Sequence, residues 1–128
     1  PYFLLLKNNI NKFTPLPVGI SPARGEKRVR RKLVGCPDQA IEDAGLAAID
    51  LSGMIVAHNA GNMLPLTAGF HTVPNLASSL KNALDCTNHN CFAYDILFGC
   101  PGWLQGVIQA HQTIKTGDAE HILVTGLE

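Results

Sequence analysis

Tyr94-Asp95-Ile96-Leu97-Phe98-Gly99-Cys100-Pro101-Gly102-Trp103 is the stretch on which the fold turns. An apolar run rich in strand formers, Cys91 to Phe98, enters Gly99-Cys100-Pro101-Gly102, and beyond it apolar residues recur at helical spacing. The pattern predicts a strand, a sharp turn and a helix. A cysteine on such a turn is held away from its own backbone, and the helix behind it brings unbonded N–H groups and a positive dipole end near the sulfur. Both favour the thiolate, the form in which cysteine is a nucleophile. Pro101 suits a first helical turn, where its missing N–H costs nothing, while Gly99 and Gly102 allow backbone angles and close approach that a larger residue would block. Cys100 is thus the candidate nucleophile, with Gly99 and Gly102 supporting the elbow. The competing reading is inert packing, since cysteine is among the most buried residue types.

Outward from this turn, the pattern alternates. Downstream, Gly102 to Thr116 reads as a helix whose expected buried stripe is Leu104, Val107, Ile108, His111 and Ile114, with His111 as a core or boundary residue. Gly117 ends it, and His121 to Gly126 reads as a buried strand. Upstream, Val73 to Leu84 predicts a helix with Leu76, Leu80, Ala83 and Leu84 on one face and Pro74 in its first turn. Met63 to Thr72 reads as a loop. Met54 to Ala57 is an expected buried strand, and His58-Asn59-Ala60-Gly61-Asn62 a polar turn at its carboxyl end. That edge is where ligands bind in open α/β sheets, so His58 and Asn59 either line a site or serve as turn and cap residues. Val34 to Ala48 fits an amphipathic helix stopped near Gly45. Helix and strand in alternation imply an α/β fold of parallel βαβ units with right-handed crossovers.

Residues 1–32 follow no such pattern. Tyr2 to Leu6 suits a strand or a helix end, and Pro15, Pro17 and Pro22 impose irregular backbone. Six of the ten basic residues fall between Arg24 and Lys32 against one acid, Glu26, which suggests a solvated loop or a docking surface for phosphate or an acidic carrier. No aromatic residue is interleaved, unlike a nucleic-acid surface. The chain starts at Pro1 and stops directly after a strand-like run, so both ends look cut.

At 128 residues and 46% hydrophobic content the chain is one domain at most, and zero formal charge points to neither nucleic acid nor an anionic membrane as partner. It has no stretch of the length a spanning helix needs, and Tyr2 to Leu6 makes a poor signal peptide, so a cytoplasmic location is expected. The four cysteines, Cys36, Cys86, Cys91 and Cys100, lack framework spacing and should be reduced thiols. Cys86-Thr87-Asn88-His89-Asn90-Cys91 contains zinc-type ligands but no Cys-x2-Cys pair, and its composition fits a solvated loop, so no metal is expected.

The run Ala93-Tyr94-Asp95 through Gly99-Cys100-Pro101-Gly102-Trp103, then Lys115-Thr116-Gly117-Asp118-Ala119 and Ile122-Leu123-Val124-Thr125-Gly126-Leu127-Glu128, resembles the active-site cysteine region of the β-ketoacyl-acyl-carrier-protein synthase III family, among the thiolase-fold condensing enzymes. Ala40-Ile41-Glu42-Asp43-Ala44-Gly45-Leu46 resembles the helix before that family's second strand, Ile55-Val56-Ala57-His58-Asn59 that strand and its turn, and His71-Thr72-Val73-Pro74-Asn75-Leu76-Ala77 a helix entry. Lys12-Phe13, Val18-Gly19-Ile20 and Arg24 resemble a further family segment more loosely.

The resemblance implies the N-terminal half of a thiolase-like layered fold, with a mostly parallel sheet and flanking helices over residues 33–128, preceded by an irregular, poorly matching segment, 1–32. It implies a decarboxylating Claisen condensation that initiates fatty-acid synthesis. Cys100 would take the acyl group from acyl-CoA, and malonyl-acyl carrier protein would supply the attacking carbon after losing carbon dioxide. Val73 would shape the acyl pocket of a neighbouring subunit in a homodimer, and Phe13 and Arg24 would contact substrate; acyl-CoA is a substrate, and no cofactor is implied. The family's histidine and asparagine belong to a second half, which would begin after Glu128, so a chain of this extent is expected to be inactive alone. Another thiolase-fold enzyme using acyl-CoA, of hydroxymethylglutaryl-CoA synthase or polyketide type, and a non-enzymatic remnant that keeps the fold are the alternatives.

Overall fold

In a computed structural model, residues 2–7, 37–59, 62–63 and 70–127 are described. Strand β1 (Tyr2–Lys7), helix α1 (37–43), a 3-10 turn (Ala48–Asp50), β2 (Gly53–His58), the short β3 (Asn62–Met63) and β4 (Phe70–His71), α2 (Leu76–Ala83), β5 (Phe92–Leu97), α3 (Gly102–Thr116) and β6 (His121–Leu127) follow one another. The main sheet has the order β1-β6-β2-β5. β2 runs parallel to both neighbours, with Ile55 opposite Tyr94 on β5 and opposite Val124 on β6. β1 is antiparallel on the outer edge of β6, pairing Leu4 with Val124.

The connections move in opposite directions across the sheet, from β2 outward to β5 and from β5 back past β2 to β6. Right-handed crossovers in opposite directions place their helices on opposite faces. Accordingly α1 and α2 cover one face, where Ile41, Met54, Val56, Leu76, Leu80 and Leu123 form a core. α3 covers the other with Ile55, Ala110, Ile114, Ile122 and Val124. Every residue of β2 is buried, as a parallel strand sandwiched between helices should be. The α/β, thiolase-like layered expectation for this incomplete chain holds.

Several local expectations change. Within the segment read as irregular, Tyr2–Lys7 is a strand, because β6 offers it a free edge; residues 8–36, including Phe13, Arg24 and the basic run, lie outside the described residues. The expected loop before α2 contains the β3–β4 pairing of Asn62 with His71 and Met63 with Phe70. Helix α2 begins at Leu76 rather than Val73, since Asn75 caps it by accepting from Ser78 N–H at 2.8 Å. Pro74 therefore precedes the cap instead of occupying the first turn, and the Val73–Pro74 bond is cis. α1 ends as expected, with Gly45 at φ +67° and Leu46 N–H bonded to Ile41 C=O at 3.1 Å. Gly117 closes α3 in the same left-handed region, at φ +85°.

The largest correction concerns α3. Its buried positions are Gly102, Gly106, Ala110 and Ile114, with Val107 half-buried, whereas Leu104 and Ile108 are 54% and 43% exposed and His111 is exposed too. The expected stripe followed the large apolar side chains; contact with the sheet selects the small ones. A methyl group at Gly106 would stand 3.0 Å from Val124 Cγ1 and 3.4 Å from Ile55 Cγ2. At Gly102 it would meet Ala57 Cβ at 3.4 Å. At Gly106 the helix lies so near β2 and β6 that even a methyl group would require its neighbours to shift, whereas at Gly102 a methyl group would just touch.

Gly106→Leu should therefore lower the unfolding free energy by about 1–3 kcal/mol or more through overpacking. Leu104→Gln, on the outer face, should change it by less than about 0.5 kcal/mol. Urea midpoints of the two variants measure the difference, and equal midpoints would contradict this placement of the helix.

Candidate active site around Cys100

Strand β5 ends at Leu97, and two exposed residues, Phe98 and Gly99, lead to Cys100. Gly99 takes φ +50°, a conformation costly for side chains with a Cβ, and its carbonyl accepts from Gly102 N–H at 2.9 Å. Pro101 then precedes the first residue of α3, and its carbonyl accepts from Gln105 N–H at 3.0 Å. The strand, turn and helix expected from the sequence are all present. Cys100 is exposed at the carboxyl edge of the parallel sheet, on the entry to the 15-residue α3. Gly102, buried against Ala57 Cβ, seats the elbow on the end of β2 as well as on β5.

The inert-packing reading fits a different cysteine. Cys91, at the opposite end of β5, is buried in the α2-side core. Burial foremost, aided by the neighbouring Cys86, pushes its thiol up to about 12, against which the nearby Lys81 ammonium acts only weakly. Cys86 Sγ lies 3.1 Å from Ala48 O, and His89 is exposed. Among the described residues no group of three or more His, Cys, Asp and Glu side chains is placed to hold a metal ion.

Asp95 is the residue that sequence reading missed. Its side chain leaves β5 on the α2 side, and both oxygens accept hydrogen bonds from the start of that helix: Oδ1 from Ala77 N–H and Oδ2 from Leu76 N–H, each at 2.8 Å. A carboxylate at a helix N-terminus satisfies orphan donors and complements the dipole. Oδ2 also lies 2.9 Å from Nε2 of His58, the last residue of β2 and only 7% exposed. His58 is thus a strand residue tied to Asp95, not part of a solvated turn; Asn59 beside it is exposed. A lone acid in an apolar strand was the available signal, because a partly buried carboxylate requires partners.

Of the other proposed site residues, Gly99 and Gly102 flank Cys100, and Phe13 and Arg24 lie outside the described residues. Val73 is 85% exposed, just before the α2 cap. On the α3 face, Tyr94 donates its hydroxyl to Gln109 Oε1 at 2.8 Å, and burial raises its pKa.

Comparison with curated proteins supplies the deciding observation. The chain is 35% identical over 91 residues to "Beta-ketoacyl-[acyl-carrier-protein] synthase III" of Kocuria rhizophila, covering 70% of this chain and 22% of that protein. Proteins of the same name from Staphylococcus epidermidis and Cereibacter sphaeroides match at 34% over 90 residues and 33% over 89, again 70% of this chain and 26% and 24% of theirs. The chain belongs to the β-ketoacyl-acyl-carrier-protein synthase III family. It spans about a quarter of the length of the curated synthase III relatives it matches. No protein-family model matches it.

Asp95→Ala should destabilise the chain by about 2–4 kcal/mol, since it strips two backbone donors and a buried histidine of their acceptor at once. Asp95→Asn, which keeps one oxygen, should lose less, and denaturant titration ranks them. The folded chain holds the Cys91 proton to about 12, whereas an unfolded thiol releases it near 9.0, so unfolded molecules bind fewer protons in that window. Stability should fall as pH rises through it, and Cys91→Ala should flatten the fall, as read from urea midpoints at successive pH values.

Proposed function

We propose that this chain carries the acyl-accepting centre of a synthase III-type condensing enzyme, with Cys100 as nucleophile. The observation that supports this most directly is an exposed cysteine on a glycine-flanked turn at the start of α3, within a chain whose relatives bear the synthase III name. Thioester exchange requires a good sulfur nucleophile and a good sulfur leaving group. Cys100 Sγ attacks the acyl carbonyl of acyl-CoA, the new C–S bond forms, and CoA leaves as its thiolate. Malonyl-acyl carrier protein then loses carbon dioxide, and its carbanion attacks the Cys100 thioester, releasing the cysteine with the 3-oxoacyl chain on the carrier. The oxyanion of each step is held by backbone N–H groups at the elbow, that of Cys100 among them.

In this reading Gly99 and Gly102 set the elbow, Val73 shapes an acyl pocket of the neighbouring subunit in a homodimer, and Phe13 and Arg24 touch substrate. The place of action is the cytoplasm; no described helix is long and apolar enough to cross a membrane. The histidine and asparagine that stabilise the enolate belong to a further part of the enzyme, and residues 33–128 act as part of its N-terminal half. Hydroxymethylglutaryl-CoA synthase-type chemistry remains the alternative within the fold, and it would reveal itself by acetyl transfer without malonyl decarboxylation.

Intact-mass spectrometry after incubation with acetyl-CoA tests the assignment, on this chain and on a longer chain continued with the remaining length of a relative. The longer protein should gain one acetyl group, about 42 Da, and its Cys100→Ala variant none, as expected for a covalent acyl-enzyme. Acetylation of the variant, or of neither protein with acetyl-CoA or longer acyl-CoAs, would overturn Cys100 as the acceptor and favour a non-enzymatic remnant.

A further inference from the structure

Cys100 follows the least restrained strand of the parallel set. β5 is outermost in the main sheet, hydrogen-bonded to β2 along one edge and to no other described strand. Backbone bonds on one edge alone leave a strand end prone to local opening. What holds this one is a side chain. Asp95 Oδ1 accepts from Ala77 N–H and Oδ2 from Leu76 N–H, each at 2.8 Å, and Oδ2 lies 2.9 Å from His58 Nε2. The Asp95 side chain is 17% exposed, so water competes little for these bonds. In the sheet Val56 stands opposite Asp95 and His58 opposite Leu97, so the imidazole reaches back to the carboxylate from the row nearer the turn. Asn75, the cap of α2, adds a longer bond from Nδ2 to Ala93 O at 3.4 Å. Ile96, the next residue, packs against the α3-side core. The chain that carries Cys100 therefore runs between two anchors, Asp95 on the α2 side and Gly102, seated on Ala57, on the α3 side.

We propose that Asp95 is a positioning residue for acyl transfer, setting the place of Cys100 by fixing β5 to the start of α2 and to the end of β2. The inference rests on the reading of Cys100 as the acyl acceptor. Asp95 acts through the strand: its oxygens are taken up by Leu76, Ala77 and His58. Attack on a thioester requires sulfur and acyl carbon about 3–3.5 Å apart with their orbitals aligned, and a misplacement of about 1 Å costs on the order of 100-fold in rate. A small alkylating reagent is not held in one pose and places no such demand on the sulfur. Loss of the Asp95 anchor therefore slows acyl transfer at saturating acyl-CoA and leaves simple alkylation of the thiol unchanged. A carboxylate that served stability alone would do neither in a protein that stays folded.

The test follows acetylation of Cys100 by intact mass against acetyl-CoA concentration, in the longer protein continued with the remaining length of a relative. Asp95→Asn keeps one acceptor oxygen, and Leu80→Ala removes a buried side chain from the α2-side core while leaving Asp95 in place. Asp95→Asn should lower the maximal rate about 10- to 100-fold. It should shift the half-saturating acetyl-CoA concentration, and the rate of Cys100 alkylation by iodoacetamide, by less than about twofold. Leu80→Ala, although it lowers the urea midpoint, should keep the maximal rate within about twofold of the unsubstituted protein. His58→Gln, which leaves both helix bonds to Asp95, should lower the rate less than Asp95→Asn, and it carries the comparison if Asp95→Asn fails to fold. Equal maximal rates with and without the Asp95 substitution, an equal fall in Leu80→Ala, or an equal fall in iodoacetamide alkylation would overturn the proposal. An unsubstituted protein that takes no acetyl group would instead remove the Cys100 assignment, and this one with it.

Discussion

The close seat of α3 on the sheet is the constraint from which the rest follows. Gly102, Gly106 and Ala110 form the seam, and Val124, Ile55 and Ala57 are what they press against. Helix and sheet gain dispersion and apolar burial at a distance that, at Gly106, leaves no free room for a side chain. Because Gly102 is both the first residue of α3 and the first of that seam, the helix start is fixed by core packing and not by a loop. Cys100 stands two residues earlier, so its position inherits the rigidity of the core. Gly126 adds to the same fit from the sheet side: a methyl group there would lie 3.1 Å from Trp103, the second residue of α3.

A second tie works on the opposite face. Asp95 binds the start of α2 through both oxygens and receives His58 from β2, so three elements meet at one carboxylate. Burying a charge among apolar strands is unfavourable unless its hydrogen bonds are satisfied, and here two backbone donors and an imidazole do so. The result is that β5 is clamped from the α2 side at Asp95 and continues, a few residues later, into the turn clamped by α3. An exposed reactive group benefits from such support, because precise placement of the reacting atom depends on the groups behind it.

The sequence made some of this legible. Strands β2, β5 and β6 announced themselves as short apolar runs between turn residues, and Gly117 and Gly45 marked helix ends by the left-handed angles that glycine supplies without strain. The turn was readable because Gly99, Pro101 and Gly102 suit a sharp reversal into a first helical turn. The rotation of α3 was not. Leu104, Ile108 and His111 have the helical spacing of a buried stripe, yet the close approach to the sheet turns the glycines inward and leaves those larger residues outside. Asp95 was hidden for a related reason: its meaning depends on the N-terminus of α2, whose placement beside β5 is a tertiary fact. Strand β1 was ambiguous because Tyr2–Lys7 pairs only through a partner, β6, at the far end of the chain. Phe13 and Arg24 lie outside the described residues, so the structure neither joins them to Cys100 nor separates them from it.

The two cysteines that bracket β5 show how far environment outweighs residue type. Cys91 enters the strand from a loop packed beneath α2 and beside the Ala48–Asp50 turn, and there the thiol is removed from water and its ionised form is disfavoured. Cys100 leaves the same strand at the carboxyl edge, where the chain must reverse to begin a helix on the other face and no described element covers the turn. In a parallel sheet that asymmetry is built in: each crossover begins at the carboxyl edge, so helix N-termini and open turns collect there. A cysteine placed just after the strand is therefore presented to solvent on a rigid support, while one placed just before it is absorbed into the core.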